Sequence, residues 1–322
     1  MNTRNKIGWL IGLMVSSTGC SNMHETSIDV TNPSPFSDES DTEWSDTEWS
    51  DNDRDEDEQE EGGDTYNVDS GCSGNFISAE AAEEMYYLTQ ISNNETIYTT
   101  YDRIDGIATL FEQCNDPWGL FPTTYRHITN RIIEAIEDKE IEDTQWGKDI
   151  VLDFASRYFE NLQKALTNSE PSYAWAQYYY LADQGDVSRT RAVLVAMVAH
   201  LTLDLPYALV DIGTTEDHED DYFVLGELMI EITPDFLDDL LYYYDTDAED
   251  ILNGFFFGNW VDGAFGQDTT ITLSYQTIRT KSWNNRWYLE QWWGVWIAES
   301  EIYTSFWTID GVLATLDAAG TI

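Results

Sequence analysis

Positive charge is what this chain has least of. Its 322 residues carry 15 Lys and Arg against 61 Asp and Glu, a formal net charge of −46. Such an excess repels nucleic acid and anionic lipid surfaces, so no backbone-phosphate binder is expected. Eighteen of the acids lie in residues 21–70, where Arg54 is the sole base, so most of the negative charge belongs to the rest of the chain. A solubilising or salt-tolerant surface accounts for it better than a store of cations. Histidine is scarce at four residues and cysteine at three, which limits any metal centre built from His and Cys. The chain also lacks Gly-x-Ser-x-Gly, a Walker loop, a dinucleotide fingerprint and His-Glu-x-x-His, and with them the reactions those motifs mark. Strand-like alternation is rare, and no 20-to-50-residue repeat occurs.

The N-terminus reads as an address. "MNTRNK" supplies Arg4 and Lys6, "IGWLIGLMV" a short apolar core, and "SSTGC" small residues ending at Cys20. This is a secretory signal pattern, too short to span a membrane. The Gly-Cys ending resembles the lipobox of bacterial lipoproteins, with Ser17 where that motif usually has Leu. The resemblance implies a signal peptide over residues 1–19 and a lipidated Cys20. Ser21 after the cysteine implies an outer-membrane or cell-surface anchor, with the rest of the chain outside the cytoplasm. Cys72 and Cys114 are then an even pair in an oxidising compartment, most simply a disulfide. The loop of about 43 residues would be worth roughly 4 kcal/mol on the chain-entropy argument. Two reduced thiols are the alternative if the chain is not exported.

Residues 20–71 form a spacer by composition. "DTEWSDTEWSD" repeats directly from Asp41 to Asp51, and "NDRDEDEQEEGGD" follows. So polar and charged a segment cannot bury enough surface to offset its own ordering, and a disordered, extended tether is expected.

From Cys72 onward the apolar spacing is helical, so residues 72–322 are expected to form a single all-α domain. Ser78 offers an N-cap before "AEAAEEMYYL"; Ile104, Ile107, Leu110 and Phe111 mark a second helix. Pro122 stands near the start of a third, whose face carries Tyr125, Ile128, Ile132 and Ile136. Helices are also expected over "DTQWGKDIVLDFASRYFENLQKALTN" and "PSYAWAQYYYLADQG". Beyond these come Tyr222–Ile232, Pro234–Tyr244, Asp247–Gly258 and a Trp-rich helix around Leu289–Asp310. "QDTTITLSYQTI", Gln267 to Ile278, alternates like a short hairpin or loop.

One segment, "AVLVAMVAHLTLDLPYALVDIG" from Ala192 to Gly213, is apolar enough to resemble a membrane span. Placing His200 and Asp204 at mid-bilayer would cost several kcal/mol. It reads instead as the central helix of the domain, surrounded by others. Spacings of 4 and 11 align His200, Asp204 and Asp211 on one face. Pro206 lacks an N–H and clashes with the Thr202 carbonyl, which predicts a kink and a carbonyl free for a water, a side chain or a ligand.

"MVAHLTLDLPYAL" resembles the central motif of a bacterial domain-of-unknown-function family, number 5995. "YRHIT" at Tyr125–Thr129, "FASRYF" at Phe154–Phe159 and "PSYAW" fit the family in order, so the likeness spans most of residues 100 to 245. Val198 and Thr202 stand where the family has Asn. The resemblance brings candidate residues rather than a reaction: His200 and Asp204 at the centre, with Tyr125, Arg157, Tyr158 and Asp211 as binding candidates. His-x3-Asp is also part of the His-x3-Asp-x5-His helix of zinc-dependent phospholipase C, but Val210 takes the last position here.

Two functions remain open at this point. A hydrolase would hold a divalent metal on His200 and Asp204, with Asp211 nearby, to activate water toward a phosphoester or similar small substrate. A non-catalytic binding or envelope-interaction module would use the same pair only for packing, because buried polar groups must be partnered. Arg157 has carboxylates enough nearby for a plain salt bridge. His218, in "TTEDHEDD", could take a cation but fits a solvated acidic loop. The C-terminal tryptophans could stack on sugars or lipids, though core packing is the usual fate of aromatics at helical spacing. "DTDAED" lacks the Gly and Glu of a calcium loop.

Overall fold

A computed structural model describes residues 71–257 and 275–322, all within one compact unit, Asp64–Ile322. The signal segment, Cys20, the spacer up to residue 70 and the whole of "QDTTITLS" lie outside the described residues. The described part is helical apart from one tiny antiparallel hairpin, β1 (Cys72–Ser73) with β2 (Phe76–Ile77). An all-α domain is what the 3.6-residue spacing required.

The hairpin is fixed to the domain by a disulfide between Cys72 and Cys114, whose Cα atoms are 5.3 Å apart. Ser78 then caps α1 (Ala79–Leu88), accepting from the Ala81 N–H. α2 (Ile97–Cys114) opens on a Thr96–Thr99 capping box and closes on Asn115 in the left-handed region. α3 (Leu120–Asp138) carries Pro122 in its first turn. Gly119 just before it is required by packing: a Cβ there would lie 2.0 Å from the Tyr244 hydroxyl. α4 (Thr144–Leu166) is capped by Asp143, and α5 (Tyr173–Ala182) follows.

The apolar segment forms a continuous rod of three pieces: α6 (Arg189–Ala199), one π-helical turn (His200–Asp204) and α7 (Leu205–Asp211). Residues 192–199 are all buried. By length and composition the rod could cross a membrane, with a mean hydropathy of 1.8, yet 83% of that window is buried inside the domain. Its jacket is α3, α4, α5 and two C-terminal helices, α11 (Tyr275–Leu289) and α12 (Val295–Ala318). α8 (Glu219–Glu231), α9 (Thr233–Tyr244) and α10 (Glu249–Phe257) complete the described chain.

Two expectations need correcting. Tyr275–Ile278 is the first turn of α11, not a hairpin: Tyr275, Ile278, Arg279, Ser282, Trp283 and Arg286 are buried at helical spacing, and that period overrides the upstream alternation. The helix expected around Leu289–Asp310 is broken before Val295. Gly294 sits at the break, where a Cβ would lie 2.5 Å from the Tyr288 carbonyl oxygen. In and beside this turn Trp287, Trp293, Trp296 and, at 90%, Trp292 are exposed, while Trp283 goes into the core.

Candidate functional site

Pro206 shapes the middle of the rod. In the π turn the Leu205 N–H reaches back to the His200 carbonyl, and Pro206 has no N–H to offer. The Leu201 carbonyl therefore takes its donor from another helix, the Ser282 hydroxyl of α11 at 2.5 Å. A carbonyl released by the proline was expected at Thr202. The one seen bonded across helices is Leu201's, and a side chain satisfies it. The Thr202 hydroxyl donates back to the Val198 carbonyl, as β-hydroxyl residues do inside helices.

The same turn positions the dyad. His200 Nδ1 lies 2.8 Å from Asp204 Oδ2, and both side chains are buried. The same Asp204 oxygen accepts from Trp175 Nε1, also at 2.8 Å, across 29 residues of sequence. A carboxylate can only accept here, so the imidazole N–H is on Nδ1 and the lone pair is on Nε2. Among the described residues no group bonds Nε2. It is enclosed by rings instead: Phe154 stacks on the imidazole at 3.4 Å, with Tyr125, Phe121 and Trp175 edge-on at 4.9, 5.2 and 5.8 Å. Burial among these rings pushes the His200 pKa below its usual value, against the pull of Asp204. The imidazole is a neutral, packed group.

Of the other binding candidates, Tyr125 and Tyr158 join this centre. Tyr158 packs on Phe121 at 5.0 Å and on Trp175 at 5.4 Å, and its buried hydroxyl has no partner among the described residues. Burial raises the pKa of both phenols, so neither supplies a phenolate. Arg157 and Asp211 stand apart. Arg157 Nε binds Asp153 at 2.7 Å and Nη2 binds Asp211 at 2.5 Å, and Asp211 is exposed. The alignment of Asp211 with His200 and Asp204 assumed an unbroken α-helix. A π turn inserts one residue and rotates everything after it by about one residue position. Among the described residues no three His, Cys, Asp or Glu side chains converge as a metal site.

His127 is bonded to Asp239 at 2.7 Å, beside Arg126, which holds Asp105, Glu112 and Asp239 together. His218 stacks on Trp146 at 5.2 Å and takes the Thr215 N–H on Nδ1, so it serves the turn into α8.

Sequence reasoning missed Trp175 as the third member of the dyad's network, and Arg279 altogether. Arg279 is 3% exposed, and its guanidinium lies 4.1 Å over the Tyr222 ring. The signal was present in "YQTIRTKSWNNRW": Arg279, Ser282, Trp283 and Arg286 fall at i, i+3, i+4 and i+7, a stripe that helical spacing assigns to one face.

The class defined by these features is an all-helical domain built around an apolar rod, with a closed histidine–carboxylate–indole network at its centre. Residues 97–293 match a family described as "Family of unknown function (DUF5995)", and the chain belongs to that family. No curated protein and no solved structure matches the chain.

Proposed function

We propose that this is a lipid-anchored envelope protein whose helical domain is a non-catalytic binding module. The observation that carries the second part is the closure of the centre. Asp204 takes the N–H groups of both His200 Nδ1 and Trp175, and aromatic rings pack around the imidazole where a metal-activated water and its substrate would need room. A metal-assisted hydrolase would need at least a third ligand beside the dyad and an open coordination position. The lipid anchor rests on the sequence pattern ending at Cys20, and the long acidic spacer supports it by setting the domain away from the anionic membrane surface.

The test is elemental analysis of the purified protein, run with His200→Ala and with the shape-conserving Asp204→Asn in case the first fails to fold. Neither wild type nor variant is expected to hold stoichiometric metal or to turn over phosphoester substrates. One equivalent of metal in the wild type, lost in both variants, would reinstate the hydrolase. For the anchor, Cys20→Ser is expected to move the protein from the membrane fraction to the soluble one; unchanged fractionation counts against lipidation.

A further inference from the structure

A cavity of about 50 Å³ lies beside the dyad, walled by α3, α4, the rod, α8 and α11. Phe154 and Tyr125 separate it from His200, since each ring lines the cavity and packs on the imidazole. The rest of its wall is almost wholly aliphatic, including Ile128, Val151, Leu205 and Leu225. Half-buried Ile132 and Met229 mark its outer side. Thr129 and Tyr222 also line it, and Arg279 is the one charged side chain in the wall.

That arginine is unusual for one so deeply buried. Acids outnumber bases fourfold, and Arg126, Arg131, Arg157, Arg191 and Arg286 all hold carboxylates. Arg189, which meets the Tyr244 carbonyl and ring instead, is partly exposed. Among the described residues no carboxylate lies within ion-pair distance of Arg279. Its Nη2 donates to the Tyr222 carbonyl, and its buried Nη1 has no partner among the described residues. Guanidinium does not shed its proton inside proteins, so the charge stays and wants an anion. Gly226 makes room for the guanidinium itself: a Cβ there would fall 1.4 Å from Nη1.

We propose that the cavity binds a small apolar carboxylate, with its carboxylate on Arg279 and its hydrocarbon end among Ile128, Val151, Phe154, Leu205 and Leu225. This deepens the binding-module reading and rests on it. Size sets the ligand. With about 10–15 Å³ of such space per water, the cavity takes roughly four waters, the room of a ligand of about four or five non-hydrogen atoms, such as propionate. Charge sets its head group, because one buried cation balances one negative charge, whereas a phosphate dianion would leave a second unpaired.

The experiment is calorimetric titration of the full chain with propionate, propanol and inorganic phosphate at about 0.15 M salt, where long-range repulsion of anions is largely screened. Propionate is expected to bind one to one, with propanol at least about tenfold weaker and phosphate silent. Val151→Phe fills the cavity without touching Arg279 and is expected to weaken propionate at least about tenfold. Arg279→Gln should abolish the preference for propionate over propanol. Should either variant fail to fold, wild-type NMR decides: propionate must shift the Arg279 side-chain N–H resonance, and propanol must not. No propionate binding up to about 10 mM, or propanol binding as tightly, overturns the proposal. If that happens in a protein without metal or turnover, the ligand class fails and the binding-module reading survives. His200-dependent metal or turnover overturns the reading itself.

Discussion

At His200 an imidazole has exchanged water for rings, and that exchange gives the residue a measurable signature. Burial holds its pKa below the usual value while Asp204 opposes the shift. The unfolded chain takes up this proton near pH 6.5, but the folded chain does so only at lower pH. The contribution of His200 to stability is therefore complete above about pH 6.5 and declines as the pH falls below it. Burial raises the pKa of Glu112, Asp116 and Asp153, which act in the opposite sense at lower pH and are common to wild type and variant. Urea unfolding between about pH 7 and 5.5 should show wild-type stability falling more steeply than that of His200→Gln. Parallel profiles would mean that the imidazole charges in the folded state, and that the closed centre is misread.

The rod illustrates how an element can be continuous yet not uniform. A proline inside a helix normally costs about 3 kcal/mol or more, through a lost hydrogen bond and a clash. Here the π turn accommodates the ring, and Ser282 of α11 supplies the donor that the Leu201 carbonyl lacks. Ser282→Ala is expected to cost about 1–3 kcal/mol, the penalty for a buried acceptor left unsatisfied. In Pro206→Ala the new N–H can serve the freed carbonyls, so the double variant should lose less than the sum of the singles. A double-mutant cycle by chemical denaturation measures that coupling, and strict additivity would separate Pro206 from the Leu201–Ser282 bond.

For the molecule as a whole, charge is the largest unbalanced quantity. Arginines of the domain tie carboxylates from distant segments, as Arg126 does with Glu112 and Asp239 and Arg191 with Asp310 and Asp317. Most carboxylates still have no cation within reach, because the chain has too few to share. Self-repulsion of the compact state then works against folding, and added salt relieves it. The unfolding midpoint is expected to rise as NaCl increases from about 0.02 to 0.5 M. A midpoint that falls would show that the arginine bridges, which salt weakens, dominate over the repulsion.

By itself the sequence determined the fold class, the cysteines available for pairing, the cap at Ser78 and the i, i+4 meeting of His200 with Asp204. Each of these depends on near neighbours or on composition, which a linear reading contains. It also placed Tyr125 and Tyr158 among the residues of interest, though without their roles. Tertiary structure alone decided that Trp175 closes the dyad, that Ser282 answers the proline, and that Arg279 lies under Tyr222 beside a cavity. Those partners are 29, 81 and 57 residues apart, and no local periodicity links positions at such separations. The exposed tryptophans belong with them. Helical spacing says that Trp287, Trp292, Trp293 and Trp296 share a region, but only the break at Gly294 turns that region toward solvent.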